Sequence, residues 1–257
     1  MISRARGSRS FLLSAVLTRA GQALLRAAPP GGRERWERAN HAGRPVGLYA
    51  GPAAVLGTAA AAARVHPGAA LAVLTAGICG AYDDLAGADD LAGADGPRRG
   101  FRARLGALRD GEVTSGAVKL PGISGAALVA GALMRERPAD RLPAAVVIAG
   151  TVHLVNLVDV RPGRAAAAVL ALGAPGLLRE GPGGELSAAA LGGAAAVLPE
   201  DLAERVMLGD TGAHALGAAL GAAAVARARG AELLAHALAV VAAAVHGARV
   251  TAWAREL

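Results

Sequence analysis

One cysteine, one lysine, one glutamine and two asparagines are all that 257 residues contain of those four types. Cys79, being alone, excludes a disulfide or a cysteine-based metal framework within the chain. Aromatic side chains make up 2% of the sequence, so the Trp and Tyr belts that usually mark membrane interfaces are largely missing. Lysine is nearly absent because arginine carries the positive charge. A composition so dominated by Ala, Gly, Leu, Val and Arg has the look of mutational bias, and residues that escape it mark places to search for chemistry. Those residues are Lys119, Asn40 and Asn156, each beside an Asp- or Gly-bearing segment at the end of an apolar stretch. Gln22 is equally rare but lies next to nothing of chemical interest in the sequence.

What the chain does contain is 54% hydrophobic residues together with a formal net charge of +7. Apolar and basic residues must therefore be segregated into blocks. Eight apolar segments can be drawn, at 46–63, 68–82, 120–134, 142–158, 165–178, 186–198, 211–226 and 233–247. A weaker one, 10–28, reads as a degraded first span or an interfacial helix, because arginines precede and interrupt it and no cleavage site follows. The pattern predicts an all-α, polytopic membrane protein of eight or nine helices, built as one domain over 1–257 with its helical core in 46–248. A full span needs ~20 apolar residues, so the shorter segments are marginal. A soluble Ala-rich bundle is the competing reading, disfavoured because the runs lack a polar stripe at helical spacing.

Alternating connections put 33–44, 83–119, 159–164, 199–210 and the C-terminal tail on one side. Arginine is heavier there, which predicts that this side is cytoplasmic and that the chain is a multi-pass protein of the plasma membrane. Asn40, Asp83, Asp84, Lys119, Asp159 and Asp210 all fall on that face, with Asn156 just beneath it. Polar groups at the ends of intramembrane helices tend to mark substrate or ion sites.

The paired carboxylates in GAYDDLAG, Asp83 and Asp84, could bind a hard cation or divide the work of base and orienting group. The same six residues recur immediately afterwards, so Asp89, Asp90 and Asp95 are expected in solvated loop. In VMLGDTGAHALG, Asp210 sits between Gly209 and Gly212 at a helix start. Glycines there let backbone approach a phosphate, the helix N-terminus favours anions, and the carboxylate could hold a metal ion against a diphosphate. A plain helix cap is the simpler alternative, and His214, one turn on, has a polar helix start as its own. NLVDVRPGR offers Asn156 and Asp159 one turn apart to read a base or sugar, with Arg161 and Arg164 suited to phosphate; a helix stop followed by positive-inside arginines is the equal alternative. Lys119 ends a basic segment as the next helix begins, where an ammonium can neutralise a lipid phosphate; an interfacial anchor is the simpler alternative, and its being the only lysine favours function.

In this order, RANHAGRPVG, GAYDDLAG, GFRARLGALRDGEVTSGAVK, NLVDVRPGR and LGDTGAHALG resemble the motifs of the polyprenyl-phosphate N-acetylhexosamine-1-phosphate transferases, glycosyltransferase family 4. That family includes the phospho-N-acetylmuramoyl-pentapeptide transferases, and the similarity runs from about residue 38 to residue 225. The resemblance implies transfer of a sugar-1-phosphate from a UDP-sugar to a polyprenyl phosphate in the membrane, releasing UMP, in bacterial cell-envelope glycan synthesis. It implies Asp83, Asp84 and Lys119 as catalytic groups and Asp210 as the ligand of Mg²⁺, with Mn²⁺ an alternative. Asn40, Asn156, Asp159, Arg161, Arg164, Gly209, Gly212 and His214 would then bind substrate. No nucleic acid is expected as a partner, and a homodimer is left open.

Three features depart from the family pattern, the poor first span among them. Val160 to Gly163 stand where a Gly-x-Asp-Gly run is usual, and the sequence ends before the family's last span. The altered loop after Asp159 favours an alternative, a non-catalytic relative that binds UDP-sugar or lipid carrier or scaffolds envelope enzymes, whereas the retained Asp83, Asp84, Lys119 and Asp210 oppose it. A cation transporter would need mid-membrane acids and a repeated half, and neither is evident in the sequence.

Overall fold

The computed structural model describes residues 2–40, 42–90 and 115–256. Among these the chain is all-α apart from one short hairpin, with ten α-helices. In chain order they are α1 (Ile2–Ala27), α2 (Ala50–Ala63), α3 (Pro67–Asp90), α4 (Ser115–Met134), α5 (Pro138–Val158), α6 (Arg164–Gly173), α7 (Pro182–Leu202), α8 (Gly209–Arg227), α9 (Ala231–Val245) and α10 (Gly247–Glu256). The hairpin pairs β1 (Glu37–Ala39) with β2 (Pro45–Gly47), antiparallel, Arg38 opposite Val46.

Local chemistry sets most of the boundaries. Pro138 and Pro182 open α5 and α7 at the first turn, where a missing N–H costs nothing. Gly163, at a φ of 77°, turns the chain into α6. Alanine, the strongest helix former, recurs in every helix.

The bundle is organised around α8, buried along nearly its whole length and packed against α2, α3, α5 and α7. Small residues allow this closeness. A Cβ on Gly80 would stand 2.3 Å from the Asp210 carbonyl oxygen, and one on Gly192 would stand 2.2 Å from that of Phe11. The buried core is correspondingly dominated by alanine, while large apolar side chains such as Leu12, Leu24, Ile78, Leu238 and Val245 point outward.

Helix α1 displays this inversion best. Ser10, Ser14, Thr18 and Gln22, four residues apart, form a polar stripe, and it is the buried stripe: Ser14 and Thr18 are 0% exposed whereas Leu24 is 70% exposed. Contrary to the sequence reading, a polar stripe at helical spacing does exist, and it faces α2 and α7.

Length and hydropathy together support fewer crossings than the apolar segments suggest. Among the described residues one helix, α5, is long and apolar enough to cross a membrane, and α9 with α10 would qualify together but for a 77° bend between them. Helix α2 and the stretches 121–134 and 164–178 are apolar but shorter. Fourteen residues of α-helix rise only about 21 Å, against a hydrocarbon core of about 30 Å.

The nine expected segments each contain a helix, with shifts at the ends. Segment 46–63 begins too early, because Val46 belongs to the hairpin and α2 starts at Ala50. Segment 165–178 is α6 followed by a 3₁₀ turn, Ala174–Leu178. Helix α3 runs six residues past Asp84, so Asp89 and Asp90 lie in its last turn and not in loop. Asp95 lies outside the described residues.

Candidate functional site

The acidic motifs meet at one end of the bundle, where α3, α5 and α7 finish and α8 begins. Asp84 is the link. Its Oδ1 accepts the Asp210 backbone N–H at 3.0 Å, and its Oδ2 accepts the Thr211 N–H at 2.9 Å and the Thr211 hydroxyl at 2.5 Å. The first N–H groups of a helix have no partner within it; here a carboxylate on the adjacent α3 supplies one, at the positive end of the helix dipole. Gly209, with a φ of 63°, makes this possible, since a Cβ there would sit 2.7 Å from Asp84 Oδ2. Asp210 lies in the first turn of α8, half-buried. Asp83 is half-buried on the neighbouring rotation of α3.

Asp159 caps the C-terminal end of α5, outside the apolar stretch. Burial pushes its carboxyl well above the usual range, and the carboxylates of Asp201, Asp210 and Asp84 push it further. Four carboxyl groups from four helices thus share one electrostatic neighbourhood. Asn156, one turn earlier and half-buried, makes no side-chain hydrogen bond among the described residues.

Asp201 was not anticipated as a site residue. It lies beyond the apolar run of α7, and its Oδ2 accepts the Gly163 N–H at 3.0 Å. Burial raises its pKa to about 6, against the lowering effect of the Gly163 and Leu208 backbone amides. It therefore occupies the turn in which Val160–Gly163 lack an acidic residue. A cleft of about 120 Å³ opens here between Asp159, Arg161, Asp201, Asn40 and Glu204.

Asn40 reaches this cleft from the hairpin turn. Its Oδ1 accepts the N–H groups of Ala42 and Arg44, both at 2.9 Å, and its Nδ2 donates to Glu204 Oε2 at 2.6 Å. Glu204 also pairs with Arg44 at 3.4 Å and holds a left-handed φ of 52°, uncommon for a residue with a side chain. The hairpin is fixed further by Met207 N–H to Gly47 O at 2.9 Å and by Arg38 Nη2 donating to the Asp84 carbonyl at 3.3 Å. Asn40 thus shapes the loop that lies over Asp84 and Asp201.

The remaining expected residues fall into place unevenly. Arg161 is exposed and lines the cleft; Arg164 starts α6. Gly212 is buried, and a Cβ there would lie 2.2 Å from Leu208 and 3.0 Å from the Gly51 Cα, so helix packing accounts for this glycine. His214 is likewise buried, at 3% exposure, inside the α8 interfaces. Lys119 falls in the second turn of α4; its side chain lies outside the described residues.

Gln22, the rare residue that looked idle, is buried and donates to Glu200 Oε2 at 2.9 Å. Glu200 also pairs with Arg26 and, at 3.0 Å, with Arg19. Burial alone would raise its pKa, but the hydrogen bond and charge of Arg26, with Arg19 and Arg205, bring it below the usual range. This cluster ties α1 to α7 next to the Asp201 turn. Arg19 and Glu200 are 181 positions apart, so no local motif in the sequence could have revealed it.

Comparison with protein-family models gives no match, and neither does comparison with curated proteins.

Proposed function

We propose that the chain is a phosphosugar transferase of the polyprenyl-phosphate type, carrying sugar-1-phosphate from a UDP-sugar to a lipid phosphate and releasing UMP. The observation that carries this reading is the Asp84 bridge onto the backbone of Asp210 and Thr211, with Asp159 in the electrostatic field of both carboxylates. Motifs 126 positions apart thereby form one acidic end, as a diphosphate-handling site requires. The inverted burial of α1, polar inside and leucine outside, supports placing the bundle in a membrane, where close small-residue packing is the usual glue. On this reading most of the helices lie across or within the plasma membrane as eight or nine spans, several of them short, with the acidic end cytoplasmic.

A Mg²⁺ ion fits the donor chemistry in a limited way. Among the described residues no three His, Cys, Asp or Glu side chains converge as a ready cage, and Asp84 is engaged with α8. Mg²⁺ is commonly held by one or two carboxylates, with waters and substrate phosphates completing its shell. Asp210 and Asp159 would be those carboxylates, and the ion would supply neutralisation of the diphosphate charge. Mn²⁺ would suit the same oxygens.

The chain's own residues do the rest by positioning. Asp84 fixes the turn that presents Asp210. Asn156, Asp159 and Arg161 line the approach for the nucleotide-sugar, Asp83 orients the lipid phosphate, and Lys119 neutralises it. Catalysis of this kind rests on alignment and charge compensation. A second reading, a relative that binds these ligands without turnover, is favoured by one feature: the Asp201 carboxyl is spent on the Gly163 amide in the turn where an additional free carboxylate would be expected.

The test is UMP release by the purified protein in detergent, with undecaprenyl phosphate, Mg²⁺ and a panel of UDP-sugars, against Asp210→Asn. Release dependent on both lipid and Asp210 is expected. Binding of UDP-sugar or lipid without release would move the protein to the second reading, and no binding of either would overturn both.

A further inference from the structure

The opposite end of the bundle holds a feature unrelated to the acidic site. A cleft of about 230 Å³ runs between α5, α7, α8 and α9 and the 3₁₀ turn after α6. Its walls are apolar, with Val147, Leu220 and Val240 among them, and its mouth carries Arg179, Arg227 and His236. From Leu220 to Arg227 along α8 the cleft spans about 10 Å, two helical turns.

The charges at the mouth are not balanced. Arg227 Nη2 lies 3.3 Å from Glu232 Oε1 and 3.1 Å from His236 Nε2. His236 Nδ1 is 2.7 Å from the Glu232 carbonyl oxygen; a carbonyl only accepts, so Nδ1 carries the hydrogen and Nε2 is left to accept from Arg227. Arg227 is thus held in place by α9, yet its Nε is buried with no hydrogen-bond partner among the described residues. Arg179 is exposed and makes no ion pair or side-chain hydrogen bond among them. Two guanidinium groups therefore face one carboxylate at the mouth of an apolar cleft. Arg179 also borders an adjoining groove, whose lining includes Glu180 and Glu185; neither of these glutamates lines the cleft itself. The N-terminal turn of α7, through Gly183, adds the positive end of its dipole.

We infer that this cleft is a site for an anionic phospholipid, with one acyl chain along the apolar wall and the head-group phosphate on Arg179 and Arg227. A planar guanidinium suits a phosphate oxygen pair. A free phosphate would use the mouth alone and leave the wall without a role. The inference rests on the reading of the chain as a membrane protein, but neither on its transferase activity nor on the acidic end.

The experiment is native mass spectrometry of the full chain in a neutral detergent. Phosphatidylglycerol and phosphatidylcholine of identical chains are titrated separately, with inorganic phosphate as a competitor in a third series. Each guanidinium near an anionic head is worth about fivefold in retention. Wild type is expected to retain phosphatidylglycerol over phosphatidylcholine, Arg179→Ala to lose about fivefold of that preference, and Ala224→Leu, which narrows the cleft, to lower phosphatidylglycerol binding. Arg179 is exposed, so its variant folds and decides the matter even if Ala224→Leu does not. An unchanged lipid ratio in Arg179→Ala would overturn the site, and displacement of the lipid by inorganic phosphate would reduce it to a simple anion site. Absence of the protein from the membrane fraction would instead count against the membrane reading itself, a separate readout from the lipid ratio.

Discussion

Asp84 combines two duties that substitution can separate. Its carboxylate receives three hydrogen bonds from Asp210 and Thr211; in Asp84→Asn one oxygen becomes an NH₂ group facing donors. Hydrogen bonds to charged groups contribute about 1.5–3 kcal/mol each, and loss of a partner leaves the helix amides unsatisfied. Asp84→Asn is expected to lower stability by about 2 kcal/mol in thermal unfolding followed by circular dichroism. Asp210→Asn should leave the melting temperature unchanged while abolishing UMP release; equal melting losses in the two variants would refute this division of roles. Asp201 adds a pH signature. Its native pKa of about 6 exceeds the ordinary 3.8, so the folded state holds the proton more tightly than the unfolded one. The contribution is complete below about pH 4, declines as pH rises through 6 and is flat above, a total of about 3 kcal/mol. Asp159, raised in the same way, adds a slope of the same sign, so Asp201→Asn should lessen the slope without abolishing it, and a slope identical to wild type in the variant would show that Asp201 does not cause it. The motifs carrying Asp84, Asp159 and Asp210 were visible in the sequence because carboxylates interrupt apolar runs. Asp201 was hidden because LPEDLAER reads as an ordinary polar loop, and its importance comes only from the fold of Gly163 against it.

At the scale of elements, α1 is held by shape and by one buried ionic cluster. Gly192 meets the backbone of Phe11 so closely that no Cβ fits. Gly192→Val should cost about 3 kcal/mol or more by overpacking, seen as early protease cleavage within α1 while the remaining helices resist. Glu200→Ala should act at the other end of the same interface, leaving Gln22 and two half-exposed arginines unmatched, at about 1–3 kcal/mol. Resistance of α1 to protease in both variants would mean that it is not anchored there. Helix positions were largely legible, since alanine-rich runs bounded by Arg, Pro and Gly leave few alternatives. The faces were not. Amphipathic reasoning assumes that large apolar residues go inward, and α1 reverses it: serine, threonine and glycine give the closest approach, while leucine points outward. Length misled in the other direction, because apolar composition alone does not reveal that α2 ends after 14 residues.

The whole molecule has two chemically different ends, an acidic one around Asp84, Asp159, Asp201 and Asp210 and a basic one around Arg64, Arg135, Arg179 and Arg227. Helices α5, α7 and α8 run between them, so the orientation of the bundle decides which ligands each end can meet. If the acidic end faces a cytoplasmic nucleotide-sugar, the arginine bias of its loops must have prevailed over the arginines at the other end. The single cysteine makes this measurable. In a Cys79→Ala background, Glu34→Cys places a thiol on the exposed turn before the hairpin, and Glu136→Cys places one on the exposed link between α4 and α5. With intact cells whose outer layers are permeabilised, a membrane-impermeant maleimide should label Glu136→Cys and spare Glu34→Cys until the membrane is broken. The reverse pattern would invert the bundle and leave the acidic end without access to UDP-sugar, defeating the transferase proposal. Labelling of both thiols in intact cells would defeat the crossing itself, and the outward leucines of α1 would then require a protein partner in place of lipid.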